Sequence, residues 1–257
     1  LKDTHAYLDP TEKQREPYKN LGGALEIYYG AATDADRQIG RILAKLDELG
    51  LAENTVVVFS SDNGPEDITI TNASHSGVGS PGPFRGRKRS LYEGGVRVPF
   101  IVRWPGKVPA GRVDNASVVS GVDLLPTFCA LAGVPVPESL RPDGQDVSAA
   151  LLGRPFERRK PLFWEFRSAV AGHVINRSPM LALREGNWKL LMNPDRSRIE
   201  LYDIPNETSE LNNLADRNPE VVERLAGQLL AWRSELPPGR VDKGAGVNVY
   251  PWPKEAH

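Results

Sequence analysis

The sequence is poor in cysteine and has no long apolar run. Its one cysteine, Cys129, cannot form an intramolecular disulfide, and the apolar residues around it, TFCALAGV, predict a buried structural thiol. No apolar run approaches the roughly 20 residues that a helix needs to cross a bilayer, so a membrane span is not predicted.

A strong net charge is also missing. The 257 residues carry 32 basic and 33 acidic side chains, which gives a formal net charge of −1. Sequence-independent binding to nucleic acid depends on an excess of positive charge, so a nucleic-acid partner is not expected. With 40% hydrophobic and 25% charged residues, the chain is typical of a globular protein with enough core for one large or two smaller domains.

An apolar run precedes a pair of oxygen-bearing side chains. Residues 56–59 are continuously apolar, which predicts a parallel strand buried on both faces. Asp62 and Asn63 follow at its carboxyl end, where open α/β sheets bind ligands. Their hard oxygens suit Ca²⁺ or Mg²⁺ and suit zinc poorly. The same Asp-Asn-Gly-Pro sequence is also typical of an ordinary turn, so both interpretations stay open at this point.

A basic, glycine-rich stretch lies downstream of that pair. It concentrates four cationic side chains among glycines: Arg85, Arg87, Lys88 and Arg89. Such a stretch can bring cations and backbone N–H groups close to an anion. A solvated basic run or a local nucleic-acid patch is the alternative.

The pattern of the chain changes near Gly153. Before it, residues 25–49 have the spacing of a helix with one buried stripe, capped by Gly50, and Asp123 is expected to be the N-cap of a second helix. After it, short strands are predicted at 162–166, 180–184, 188–192 and 200–202, with a hairpin at 185–187 and a long helix that begins at Asn218-Pro219. We therefore predict one domain at 1–153 and another at 154–257.

The motif SSDNG, followed by GPFRGRKRSLYEGGVRVPFIVRWPGKVPAG, resembles the calcium- and formylglycine-dependent sulfatase family. The resemblance implies an α/β fold, the C-terminal part of an alkaline-phosphatase-like sandwich with a mostly parallel sheet. A small α+β subdomain with an antiparallel sheet and one long helix would follow it. The resemblance also implies that Asp62 and Asn63 are calcium ligands and that Lys88 contacts the sulfate oxygens. Arg89 and Ser90 stand where many relatives have Gly and Thr.

Other candidate site residues rest on shorter patterns. The segment LKDTHAY resembles a family strand that ends in a histidine, which implies that His5 hydrogen-bonds the sulfate ester and assists the leaving oxygen. His75, Arg85 and His173 are candidates for substrate contact, because cationic and aromatic groups suit a sulfated sugar, with a galactose-type sugar as the expected substrate. A role in packing or at the surface is the ordinary alternative for each.

The family forms its formylglycine nucleophile from a C/S-x-P-S-R motif, and this chain contains no such motif. The paired aspartates that would supply further calcium oxygens are also absent, and two ligands fall short of the roughly six to eight oxygens that calcium prefers. We expect the formylglycine and the remaining Ca²⁺ ligands upstream, and this piece alone to be inactive. The resemblance implies a sulfuric ester hydrolase acting on a sulfated carbohydrate, in the periplasm or outside the cell.

Two alternatives stay open. A metal-dependent phosphodiesterase or phosphonate hydrolase of the same superfamily would be expected to carry a histidine at the position of Asn63. A non-catalytic, carbohydrate-binding sulfatase fragment is the other. The sequence does not indicate an oligomeric state.

Overall fold

The computed structural model describes residues 8–67, 76–170 and 172–248, which form an α/β structure. The helices are α1 (Glu12–Arg15), α2 (Gly23–Glu48), α3 (Glu93–Val96), α4 (Leu124–Ala132), α5 (Ser148–Leu151) and α6 (Pro219–Ser234). The strands are β1 (Val57–Ser60), β2 (Phe100–Arg103), β3 (Leu162–Glu165), β4 (Leu181–Glu185), β5 (Trp188–Met192) and β6 (Glu200–Asp203). Among the helices of these residues, none combines the length and apolarity that a bilayer crossing requires.

β1 and β2 form an antiparallel two-stranded sheet, with Val57 opposite Arg103. The predicted burial of the first strand on both faces is wrong, because Phe59 on β1 is 44% exposed and Ile101 on β2 is 59% exposed. Within the described residues β1 packs mainly against β2, which pairs along its edge and leaves the two faces of the strand largely uncovered. Both sheets of the described residues are antiparallel, and the expected mostly parallel sheet is therefore not confirmed.

Helix α2 has the predicted position, and Gly50 follows it with a φ of 66°. The predicted buried stripe is wrong: Gly30 and Ala31 are the buried residues of this helix, and Ile42 is 60% exposed. The reason is that α2 packs mainly against short elements, namely α1 and three single helical turns of the described residues. The apolar spacing indicates the helix correctly, but burial depends on what covers it.

Helix α4 begins directly after Asp123, as predicted, and Gly133 ends it with a φ of 70°. Asp123 is the N-cap residue of α4, as predicted, but its side chain makes no capping hydrogen bond to this helix. The buried Asp123 carboxylate instead accepts hydrogen bonds from the backbone N–H groups of Ser120 (2.8 Å) and Gln145 (3.0 Å) and pairs with Arg158. Cys129 on α4 is half-buried, so its predicted full burial is also wrong.

The four strands predicted in the second half of the chain form one antiparallel sheet in the order β3-β4-β5-β6. Glu185 pairs with Trp188 across the hairpin, so residues 186 and 187 are its two-residue loop. Gly186 has a φ of 56°, a conformation that two-residue hairpins require. The hairpin and the strands are therefore confirmed, and the predicted domain boundary at 153 stays a prediction.

The two faces of this sheet carry different partners. Leu181 on β4 lies in the core cluster that includes Leu225 and Leu229 of α6, which confirms the predicted apolar face of that helix. Ala182, the next residue on β4, lies in a second cluster with Tyr92. Because successive residues of a strand face opposite sides, the sheet lies between α6 and the segment that contains Tyr92. This packing anchors the segment that immediately follows the basic stretch.

Candidate active site

Backbone hydrogen bonds join the strand-end loop (residues 61–67, after β1) to helix α3 and to the segment before it, which we call the basic loop (residues 85–92). The Gly64 N–H donates to the carbonyl of Gly95, and the Lys88 N–H donates to the carbonyl of Pro65, each at 2.9 Å. The approach is very close, since a Cβ on Gly64 would lie 1.8 Å from the carbonyl oxygen of Gly94. Only glycine fits at position 64 in this arrangement.

An arginine side chain adds a second connection between the two loops. Arg87 donates from Nε and Nη2 to the backbone carbonyl of Glu66, at 3.1 and 2.9 Å. Its Nη2 also donates to the carbonyl of Gly77 at 3.2 Å. Arg87 therefore serves the structure of the loops, and it fixes the position of its neighbour Lys88 relative to the strand-end loop.

The structure brings Asp62, Asn63 and Lys88 to one cleft of about 1720 Å³, which Arg89 also lines. Asp62 is exposed, whereas Asn63 and Lys88 are half-buried. The side-chain Nδ2 of Asn63 donates to the carbonyl of Gly64 at 2.9 Å. The amide oxygen is therefore the atom of Asn63 that can serve as a ligand.

The donor set of the strand-end loop fits part of a calcium site. One carboxylate and one amide oxygen are hard ligands of the kind that Ca²⁺ prefers. In the part of the chain that the structure describes, no group of three or more His, Cys, Asp or Glu side chains is arranged for a metal ion. Asp62 and Asn63 would therefore contribute to a larger ligand set, and their role as calcium ligands stays a prediction.

Glu66 contacts two of the cations that line the cleft, Arg89 and Lys88. Its carboxylate pairs with the Arg89 guanidinium through two contacts, Oε1 to Nη1 at 2.5 Å and Oε2 to Nη2 at 3.0 Å. Lys88 Nζ lies 3.8 Å from Glu66 Oε2. Glu66 is not predicted as a site residue from the sequence, because its residue type and its position after a turn are those of any solvated loop carboxylate.

Two of the predicted histidines, His5 and His75, lie outside the described residues. His173 is exposed, and its backbone N–H donates to Asp67 Oδ2 at 3.1 Å, which ties it to the strand-end loop. Its Nδ1 accepts a hydrogen bond from the Ile175 N–H at 3.3 Å. Among the described residues that line the cleft, His173 is not included. Its contact with a substrate stays a prediction.

Arg85, the first residue of the basic loop, is buried. Its Nη1 donates to the Tyr202 hydroxyl at 3.1 Å and to the Glu210 carbonyl at 2.8 Å, and its guanidinium lies 3.7 Å from the centre of the Tyr92 ring. These contacts join the basic loop to the antiparallel sheet. They favour a structural role for Arg85, and its predicted contact with a substrate is not favoured by this placement.

A buried charge cluster, absent from the sequence predictions, lies behind the basic loop. Lys189 on β5 is fully buried, with Nζ 2.8 Å from Glu93 Oε1 and 2.9 Å from Glu210 Oε1. Burial raises the pKa of Glu210 to about 7. Burial also acts to raise the pKa of Glu93, but Lys189 and Arg184 outweigh it and hold that pKa below its ordinary value. A lysine inside the apolar strand WKLLM was the one available signal.

Comparisons with known proteins agree with this geometry. The model of the family described as Sulfatase matches residues 2–134, and the model described as N-sulphoglucosamine sulphohydrolase, C-terminal, matches residues 84–235. The chain belongs to the sulfatase family. The second match confirms the predicted correspondence to the C-terminal portion of sulfatases.

Individual relatives have the same character. An N-acetylgalactosamine-6-O-sulfatase of Bacteroides thetaiotaomicron is 35% identical over 209 residues, covering 74% of this chain and 39% of that protein. An N-acetylgalactosamine-6-sulfatase of Canis lupus familiaris is 41% identical over 145 residues, which cover 56% of this chain and 27% of that protein. The crystal structure of Ps i-CgsB in complex with k-i-k-neocarrahexaose has a TM-score of 0.71 and 26% identity, covering 89% and 48%. The chain thus spans less than half the length of these relatives.

Proposed function

We propose that the full-length protein is a sulfatase that hydrolyses sulfate esters of carbohydrates. One observation carries the proposal: a direct backbone hydrogen bond from Lys88 to Pro65 joins the loop of Lys88 to the loop of Asp62 and Asn63, and all three side chains line one cleft. Two oxygen ligands and a cation beside them form a site that suits an anionic ester. The membership of the chain in the sulfatase family supports the same reaction.

The described residues have distinct roles in this proposal. Asp62 and Asn63 hold a divalent cation through their side-chain oxygens. Lys88 donates hydrogen bonds to sulfate oxygens and offsets the negative charge that builds up on them in the transition state. His5, outside the described residues, donates a proton to the departing sugar oxygen. Fixed positions for the cation ligands and Lys88 matter because preorganised charges need no rearrangement during the reaction.

Calcium and formylglycine, the groups that the family implies, would supply a cation at the sulfate oxygens and the attacking oxygen, respectively. The residues of this chain fit the first group in part, through the hard oxygens of Asp62 and Asn63. The motif that yields formylglycine is not in this sequence. We propose that the formylglycine and the remaining calcium ligands belong to other parts of the full-length protein, upstream of this chain, and that this chain alone is inactive.

For the substrate, we propose a sulfated sugar of the galactose type. Two similar relatives are named for the 6-sulfate of N-acetylgalactosamine, which supports this class. His173 and the outer part of the cleft are the described places where sugar hydroxyls could be contacted. We also propose a periplasmic or extracellular location, where sulfated polysaccharides are accessible.

A comparison of different esters as substrates tests the proposed reaction. The full-length protein, loaded with Ca²⁺, is given N-acetylgalactosamine 6-sulfate and, in parallel reactions, a phosphate diester and a phosphonate monoester, and release of sulfate and of the alcohols is followed. We expect release of sulfate with little cleavage of the phosphorus esters. Preferred cleavage of the phosphate diester or the phosphonate monoester would favour the phosphodiesterase and phosphonate hydrolase alternative, whereas binding of the sugar without hydrolysis would favour a carbohydrate-binding protein.

A further inference from the structure

Arg89 has an unusual backbone conformation for its residue type. Its φ is 75°, in the left-handed region that favours glycine and strains residues with a Cβ atom. Strain of this kind persists where the surrounding structure fixes it, and it is often found at functional sites. Glycine would adopt this conformation without strain, so we expect the Arg89 side chain to make contacts that glycine could not.

The side chain of Arg89 engages both oxygens of one carboxylate. Its two terminal nitrogens contact Glu66 Oε1 and Oε2 at 2.5 and 3.0 Å, and the Glu66 side chain is 13% exposed. This two-pronged geometry is the strong form of an arginine–carboxylate pair. Lys88 Nζ is 3.8 Å from the same carboxylate, beyond hydrogen-bonding distance. Glu66 therefore lies beside two cations but bonds one of them.

We infer that Arg89 is a positioning residue that engages Glu66 and thereby keeps Lys88 available to bind an anionic group of the substrate. The inference rests on the proposed function, because it assumes that Lys88 binds a sulfate. The lysine ammonium is a compact charge on a flexible stem, so without Arg89 it can approach Glu66 and form a direct hydrogen-bonded pair. The carboxylate would then offset the charge that attracts the anion.

The charge balance of these side chains leads to the same result. Lys88, Arg89 and Glu66 together provide two cations and one anion, so these three side chains carry one net positive charge. Without Arg89, one cation and one anion remain, and their net charge is zero. If the Glu66 charge is removed as well, Lys88 alone remains and the net positive charge is restored. Anion binding should follow this balance, because the local field in a cleft depends on the sum of its charges.

The sulfate affinities of a set of variants test the inference without an activity assay. Inorganic sulfate is titrated calorimetrically into the Ca²⁺-loaded full-length protein. Arg89→Gly keeps the left-handed backbone and should weaken sulfate binding about fivefold. Arg89→Lys should also weaken it, because lysine lacks the planar fork that holds both oxygens. The double variant Arg89→Gly with Glu66→Gln should restore the wild-type affinity.

Arg37→Ala is the matched control, because Arg37 pairs with a carboxylate, Asp34 at 3.3 Å, but is not among the described residues that line the cleft. Its sulfate affinity should equal that of the wild type. The inference is overturned if Arg89→Gly binds sulfate as tightly as the wild type, or if the double variant binds as weakly as Arg89→Gly, since only a structural defect would then remain. Failure of the proposed function is distinct: the wild type would release no sulfate from any ester.

Discussion

Lys189 Nζ lies 2.8 Å from Glu93 Oε1, and this contact joins the centre of the antiparallel sheet to α3, the helix that directly follows the basic loop. Lys189 also lies 2.9 Å from Glu210 Oε1, so one buried cation contacts two buried carboxylates. The position of the basic loop therefore depends on charges in the second half of the chain.

Replacement of Lys189 by methionine should destabilise the protein severely. The variant keeps the volume but leaves Glu93 and Glu210 buried without their shared cation, and loss of one partner from a buried ion pair costs about 3 to 5 kcal/mol. Denaturant unfolding of the full-length protein measures the change. Lys107→Met, at an exposed lysine, is the control and should be near neutral. Equal stability of the two variants would contradict the proposed dependence of the fold on the buried charge cluster.

Stability should fall as pH rises from about 4.5 to about 7. Burial raises the pKa of Glu210 from its ordinary value of 4.5 to about 7, so in this range the folded state binds more protons than the unfolded state. The contribution of Glu210 to the free energy of unfolding is fully present below pH 4.5. It is lost as the pH rises through about 7, the pKa of Glu210 in the folded state, and the loss is on the order of 3 kcal/mol. Urea unfolding between pH 4.5 and 8 measures it.

Glu210→Gln is the control for this pH dependence. The amide does not titrate, so the contribution of this position to the slope of stability against pH should disappear. A slope identical to that of the wild type would assign the pH dependence to other groups.

Gly64→Ala should disrupt the connection between the strand-end loop and the basic loop. The added Cβ would lie 1.8 Å from the backbone oxygen of Gly94, which cannot move away as a flexible side chain would. We expect a loss of about 3 kcal/mol or more. Gly40→Ala in α2, where nothing lies within 4 Å, should instead stabilise by up to about 1 kcal/mol. Thermal unfolding of both variants checks the contrast, and similar shifts would contradict it.

Asp62→Ala should weaken calcium binding by the full-length protein at least about tenfold, because the affinity of an oxygen site depends on its number of charged ligands. Isothermal titration with Ca²⁺ measures the change. Asp47→Ala, at a carboxylate paired with Arg103, is the control. If both variants bind Ca²⁺ like the wild type, Asp62 is a turn residue, as its Asp-Asn-Gly-Pro sequence also allows.

Local patterns predicted the elements of this fold well. The position of α2 and the starts of α4 and α6 followed from apolar spacing, an expected N-cap or an Asn-Pro start, and the hairpin at Gly186 was also predicted. These features depend on neighbouring residues in the chain. Burial was predicted poorly for α2 and β1, because it depends on elements that pack from elsewhere and leave no local signal.

The candidate site was predicted in the same uneven way. Asp62, Asn63 and Lys88 were selected from motifs, and the structure places them in one cleft. Glu66 and the cluster of Glu93, Lys189 and Glu210 were missed, because their partners are far apart in sequence. A pairing of that kind becomes visible only when the sheet brings the strands against the basic loop.

Turnover of a sulfate ester by the Lys88→Ala variant tests whether the cation of the basic loop acts in the reaction. In the full-length protein we predict that kcat falls at least about 100-fold, as when one preorganised donor to a developing charge is removed, while Lys107→Ala keeps the wild-type rate. Unchanged kcat and KM in the Lys88 variant would contradict the account, because the cation that the basic loop holds in the cleft would then have no part in the reaction.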